Sequence, residues 1–331
     1  MNSVKRVCVF LATLVLAWPP LPAHAEATVV RAAKQFGLGY LQLMIMEDQK
    51  LIEKHAKAAG LDGVSAEWST FRSSDVMNDA LLSGSVDFVS LGVPGMLTIW
   101  DKSKGNAEVK GVSGLNALPL ALMVREPSIK GLKDFTDSHR IVLPAVKVSN
   151  QAILLQMAAE AAFGVGQHTK LDHLTVSMAH PDATAVMLGG QSEIVANFSS
   201  VPFQQRQAKS PAVRLLISST QIMGGPFSFN IVATTSKFRA QNPKLFAAFR
   251  AGLQEATDLI NADKKWAAET YLRLSKDKMS LDDLRELMSD PEIVFTTKVT
   301  PIEKMVEFMM RTGSYRNKPA SAKDLMFSEA Q

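Results

Sequence analysis

Ser69, Thr70, Ser90, Ser149, Asn150 and Asn197 are the residues of this chain best placed to do chemistry, and that chemistry is hydrogen bonding. They sit in or beside short polar turns that adjoin apolar runs. Catalytic signals are poor by comparison. There is no G-x-S-x-G, H-E-x-x-H, G-x-x-x-x-G-K or G-x-G-x-x-G. The five histidines after Ala25 are scattered, and none has a carboxylate or second imidazole at metal-ligand spacing. Shape and preset donors, rather than a nucleophile, a metal or a cofactor, would carry a site of this composition.

Two stretches must position these residues. Val64–Pro94 reads as strand, polar turn, helix, tight turn, strand and Gly-Pro turn. Val64, Ala66 and Trp68 alternate with polar residues, as on a half-exposed strand. Ser73 or Ser74 can cap the helix that carries Val76, Ala80 and Leu81, and Gly84 ends it. Val86–Leu91 is a short buried strand, and Gly92-Val93-Pro94 launches the next helix. A fainter copy lies in Leu174–Pro202, where Asp182 opens a helix, Gly189-Gly190 ends it and Glu193–Phe198 follows as a strand. Gly84-Ser85-Val86-Asp87 and Gly190-Gln191-Ser192-Glu193 occupy equivalent places, which predicts two related lobes. Turns at helix starts along one sheet edge are where open α/β sheets bind small ligands.

The rest of the chain fits that frame. Val29–Ala33 is a strand and Phe36-Gly37-Leu38-Gly39-Tyr40 a turn whose glycines allow close backbone approach. Leu41–Ala59 reads as one long helix, with Leu43, Met44 and Met46 as core. Leu118–Val124 is a buried strand and a crossover between lobes. Pro144–Asn150 is a turn before a helix over 151–163, with Ser149 at its N-cap. That cap either serves only its own helix or also offers donors to an anion. His180, before Pro181-Asp182, lies on the same edge of the second lobe and is either plain surface or a ligand contact. Gln221–Pro226 reads as a hinge-like turn and Phe227–Thr234 as a returning strand. Everything after about Ser236 reads as helical, ending in a loosely held polar tail over Lys318–Gln331.

At 331 residues the chain exceeds one ordinary core and suits two domains. Hydrophobic residues are 47% and charged residues 21%, as in a folded globular protein. No basic cluster stands out, so no nucleic-acid surface is expected. Met1–Ala25 reads as a cleaved leader: Lys5 and Arg6, an apolar run from Val7 to Trp18, then Ala23-His24-Ala25 before the cut. Removing its two basic residues lowers the net charge from +4 to +2. The only cysteine, Cys8, leaves with it, so the mature chain cannot form a disulfide. A soluble exported protein is expected.

Taken in order, these features resemble the substrate-binding proteins of ABC importers for sulfonates, taurine and nitrate, a group that includes pyrimidine-precursor binders. The resemblance is carried by the leader, the Phe36–Tyr40 turn, Ala80–Phe88, Gly92-Val93-Pro94, Arg125–Phe135, Pro144–Asn150 and Pro181-Asp182-Ala183. It implies an α/β fold of two hinged lobes, of the type II periplasmic binding class, each a mixed sheet flanked by helices and joined by two crossover strands. Lobe 1 would be residues 26–117 and 228–331, and lobe 2 residues 118–227. It implies a monomer in the periplasm that delivers a small polar or anionic compound to a membrane permease, with no cofactor and no metal. Its ligand residues would be Phe36, Gly37, Gly39, Tyr40, Ser69, Thr70, Phe71, Ser90, Gly92, Val93, Lys147, Ser149, Asn150, His180 and Asn197. Lys34, Arg72, Lys147 and Arg206 are further candidates to meet an acid group, and Trp68 and Phe198 to stack on a ring. The sequence departs from the family at Gln49–Lys54, lengthened by 55–60, and at the Ser192–Ala196 strand. These departures bear on the ligand more than on the fold. Two other classes stand beside this reading: a sensor-type binding protein, and an enzyme like the pyrimidine-synthesis relatives. Those relatives use His and Cys with iron, and the mature chain has no cysteine.

Overall fold

The computed structural model describes residues 25–190, 193–313 and 315–330. All of the expected leader except Ala25 therefore lies outside the described residues, as do Gln191 and Ser192 of the second turn.

Eleven strands form in chain order among the described residues. They are β1 Val29–Lys34, β2 Ser65–Thr70, β3 Val89–Leu91, β4 Val109–Ala117, β5 Ala121–Val124 and β6 Arg140–Leu143. After them come β7 Thr175–Ser177, β8 Ile194–Ser199, β9 Arg214–Ser218, β10 Ser228–Thr235 and β11 Val294–Phe295. The helices around the strand ends are α1 Leu41–Asp48, α2 Leu51–Ala58, α3 Ser74–Leu82, α4 Val93–Ser103, α5 Asn150–Phe163, α6 His180–Gly189 and α7 Phe203–Ala208.

On one side, β1 pairs in parallel with β2, and a bridge from Ala32 to Phe88 joins it to the strand run β3-β10-β4-β11. Arg31 fixes that join, since its guanidinium grips Asp87 at 2.7 Å and its backbone amide donates to the same carboxylate. Behind it Phe88 stacks on Phe249 at 3.9 Å and meets Phe238 edge-on, so the Pro243–Ala262 helix seals this sheet. On the other side the order is β7-β6-β8-β5-β9, with β6 parallel to both neighbours and β5 antiparallel to both of its own. The chain passes between the sheets twice, at Leu118-Pro119-Leu120 and at 219–227.

The internal copy read from the sequence corresponds to one structural unit used twice, β2-α3-β3 and β7-α6-β8. Gly84 and Gly190 end the two helices with positive φ of 74° and 79°, a conformation that costs glycine little. Counting back from them, Ser74 matches His180, Leu82 matches Leu188, and burial agrees at both pairs.

Five local expectations are corrected. The helix predicted over Leu41–Ala59 is two, split at Lys50 in the left-handed region with φ 52°. The break turns α2 so that Leu51 packs on Gly252, where a Cβ would lie 3.2 Å away. The strand expected over Val86–Leu91 is confined to Val89–Leu91. The strand expected over Leu118–Val124 is confined to Ala121–Val124, because Leu118–Leu120 makes the crossing. Gln221–Pro226 is in part helical, because Ser218 and Gln221 form a reciprocal capping box that winds Ser219–Met223. The tail is held: Leu325, Met326 and Phe327 are buried, Phe327 N donates to Gly111 O at 2.9 Å, and Trp100 Nε1 donates to Asp324 O at 3.1 Å.

Candidate ligand-binding site

Four helices begin at one cavity between the sheets. The starts of α3 at Ser73-Ser74, α4 at Gly92, α5 at Ser149-Asn150 and α6 at His180 all line it. A helix start presents unpaired N–H groups and a partial positive charge, so four starts aimed at one point favour an electron-rich guest. Gln35, Tyr40, Phe229 and Asn230 add further lining from the first sheet, and Gln151 from α5. No side chain in the lining carries a full charge at neutral pH.

The polar groups of the lining are themselves oriented. Tyr40 OH donates to Asn230 Oδ1 at 3.3 Å, and Asn230 Nδ2 donates to Gly39 O at 3.3 Å. Burial pushes the Tyr40 hydroxyl above its usual range, partly offset by Asn230, so it is a neutral donor. Burial also lowers the His180 pKa to about 4, which keeps the ring neutral. The ring stacks on Phe203 at 5.5 Å, and Gln151 Nε2 lies 3.4 Å from its Nε2. That pairing requires His180 Nε2 to accept, which leaves the proton on Nδ1; Nδ1 is buried and has no partner among the described residues.

The cavity is small, about 20 Å³, room for about one water molecule. The two sides touch around it. Leu38 N donates to Val201 O at 3.2 Å, and a Cβ on Gly37 would meet Phe203 at 3.2 Å. Asn150 bonds to both Val93 and Phe229. Further out, Arg311 pairs with Glu160 at 2.5 Å, Arg206 with Asp277 at 3.6 Å, and Lys209 with Asp283. Two larger hollows, of about 770 and 870 Å³, open on the outer surface. The first borders a single α-helix start, at Ile302-Glu303, and the second borders none, whereas four converge on the small cavity between the sheets.

Of the residues singled out in the sequence, the structure gathers Tyr40, Gly92, Ser149, Asn150 and His180 at the cavity, with Val93 bonded into its edge through Asn150. Ser149 Oγ is occupied within its own turn, donating to Ala145 O at 2.6 Å and accepting from Ala152 N at 3.2 Å. The others lie elsewhere. Phe36 is 43% exposed, and Gly37 is used in the contact between the sides. Gly39 packs under Phe229, with 2.6 Å from a would-be Cβ to the ring. Ser69 and Thr70 are exposed at the end of β2, and Phe71 packs on the core. Ser90 Oγ ties β3 to β1 by donating to Ala33 O at 3.1 Å. Lys147 is exposed, with φ 67°. Asn197 and Phe198 are fully buried in β8. Lys34 pairs with Glu47 and covers Trp68, and Arg72 is exposed. Among the described residues no three His, Cys, Asp or Glu side chains converge as metal ligands would.

Gln35, Gln151, Phe229 and Asn230 are lining residues that sequence reasoning missed, and Ser73 and Ser74, read there as helix caps, line the cavity as well. Asn230 had a usable signal: it is a lone amide in the apolar run Phe227–Val232.

Two mixed sheets crossed twice by the chain, with helix starts facing across a cleft, define a periplasmic binding protein fold. The chain belongs to the NMT1-like family, which it matches over residues 25–275. No curated protein matches it in sequence. Among solved structures it is similar to the alkanesulfonate-binding protein SsuA from Xanthomonas axonopodis pv. citri bound to MOPS, at 15% identity and TM-score 0.71, over 91% of this chain and 98% of that one. It is also similar to the aliphatic sulphonate binding protein SsuA from Escherichia coli, at 17% identity and TM-score 0.65, over 91% and 99%. A third is the nitrate-binding protein NrtA from Synechocystis PCC 6803, at 13% identity and TM-score 0.67, over 90% and 84%. At these identities the likeness is one of fold.

Proposed function

We propose that this protein is a periplasmic solute-binding subunit that captures a small polar or anionic organic compound, of sulfonate, taurine or nitrate type, and delivers it to an ABC importer permease. The observation that carries the reading is the meeting of four helix starts at one buried cavity between the two sheets. Residues 26–117 with 228–331 form one lobe and 118–227 the other, and the leader is removed after Ala25. The solute's acid oxygens are received by N–H and O–H donors at Ser73, Ser74, Val93, Asn150 and His180, with Tyr40 and Gln151 beside them. The sulfonate- and nitrate-binding proteins among the fold's neighbours support the same reading.

Micromolar binding needs roughly −8 kcal/mol. A few hydrogen bonds to a charged head, each contributing about 1.5–3 kcal/mol, reach that after the cost of association. The closed cavity holds about one water, so the lobes must part to admit a solute. The test is a thermal-shift screen of the mature chain against alkanesulfonates, taurine, nitrate and aromatic acids. A solute that binds only the folded state raises the melting temperature. A flat response across the panel would remove this reading.

A further inference from the structure

The Asn150 carboxamide reaches from the start of α5 to main chain on the far side of the cleft, and both of its ends are held there. Oδ1 accepts from Val93 N at 3.0 Å, and Nδ2 donates to Phe229 O at 2.7 Å. Val93 N belongs to the first turn of α4, so Oδ1 sits where a helix start favours a negative oxygen. Gly92 is shaped to this contact. Its φ of −65° suits any residue, yet a Cβ would fall 2.7–2.9 Å from the carboxamide. Glycine is required there by the approach of Asn150 and not by the backbone. Beside the carboxamide there is room for about one water, so a sulfonate or carboxylate head does not fit while Asn150 holds its position.

We propose that Asn150 is an internal occupant of the solute site, holding the solute-free protein shut by taking the α4 amide that a solute oxygen takes in the bound form. The proposal rests on the reading of this cleft as the solute site. Binding is then an exchange. The carboxamide leaves Val93 N and Phe229 O, the lobes part, and they close again on a solute whose oxygen replaces Oδ1. The apparent affinity is the intrinsic affinity reduced by the fraction of protein that has let go of Asn150.

The mature chain has no cysteine, so a pair can be introduced for spin labels at exposed sites flanking the cleft, Asp79→Cys on α3 and Ala185→Cys on α6. The pulsed-resonance distance between the labels is read with no solute present. The labelled parent should give one short distance. Asn150→Ala should shift the population to a distance longer by several ångströms. Gly92→Ala, which crowds the carboxamide from the opposite side, should do the same. Circular dichroism verifies that each variant is folded, and Gly92→Ala carries the test alone if Asn150→Ala does not fold. Distances that stay at the parental value in the folded variants would overturn the proposal. Because no solute enters the measurement, its failure is separate from a flat thermal-shift screen.

Discussion

Leu120 and Ser219 hold the two crossing segments together by a reciprocal pair of hydrogen bonds. Leu120 N donates to Ser219 Oγ at 2.9 Å, and Ser219 N donates to Leu120 O at 2.8 Å, both within the buried interior. The two passes of the chain between the sheets therefore move as one strap. Ser219→Ala leaves the Leu120 N–H buried without a partner, which costs about 1–3 kcal/mol. Urea unfolding should show a lower midpoint of that size with an unchanged slope. A midpoint equal to that of the parent would mean that the strap is not tied at this point.

His180 makes stability depend on pH in a definite window. Its folded pKa is about 4, lowered by burial, against about 6.5 in the unfolded chain. Between these values the unfolded state binds the extra proton, so stability falls as pH falls from about 6.5 towards 4 and is unaffected above. The loss approaches about 3 kcal/mol at the acid end. Carboxylates held below their usual range by partners, such as Glu160 beside Arg311 and Asp48 beside Arg273, lose their contribution at still lower pH. His180→Phe should flatten stability between pH 6.5 and 5 in melting experiments while leaving the steeper acid limb. An unchanged profile would show that the ring is not buried neutral.

Much of the frame was legible because it rests on local signals. Gly84 and Gly190 mark helix ends by backbone freedom, and Ser149 marks a helix start by its hydroxyl, all within a few residues of sequence. The cavity itself was less legible, because it is assembled across the chain. Asn150 meets Phe229, 79 residues away, and nothing near Asn150 announces that partner. Ser69 and Thr70 drew attention as hydroxyls in a polar turn, yet they end an exposed edge strand, and the chain needs Ser73 and Ser74 to reach the cavity. The tail misled for the opposite reason, since its polar majority hides three consecutive buried residues, Leu325 to Phe327.

Glu26, the residue expected to open the mature chain, caps a helix more than two hundred residues later. Its carboxylate accepts from Lys244 N at 3.0 Å and from Leu245 N at 2.9 Å, where the Pro243–Ala262 helix has no side-chain cap from its own Asn242. A carboxylate at a helix start is favoured by both hydrogen bonds and dipole. Glu26→Ala should lower stability by about 1 kcal/mol in denaturant unfolding. Cleavage of the proposed leader after Ala25 predicts an N-terminus at Glu26 in mass spectrometry. Cleavage further along the chain would remove the cap and disagree with this placement.

The ion pairs around the cleft predict a modest response to salt. Arg311–Glu160, Arg206–Asp277 and Lys209–Asp283 join segments on opposite sides, and the cationic partner of each is partly open to water. Each contributes about 0–1 kcal/mol, and 1 M salt shortens the screening length to about 3 Å. The labelled Asp79→Cys, Ala185→Cys protein should therefore open only slightly on raising salt, and less than on Asn150→Ala. Opening by salt that matches or exceeds the effect of Asn150→Ala would place the hold in the ion pairs instead.

The most direct test of the central claim is calorimetric titration of the mature protein with the solute that raises its melting temperature, repeated on Ser74→Ala and His180→Phe. Binding of one solute per chain, weakened about tenfold or more by each substitution at the cavity, is the expected result. Full affinity in both variants would contradict a site built from these helix starts.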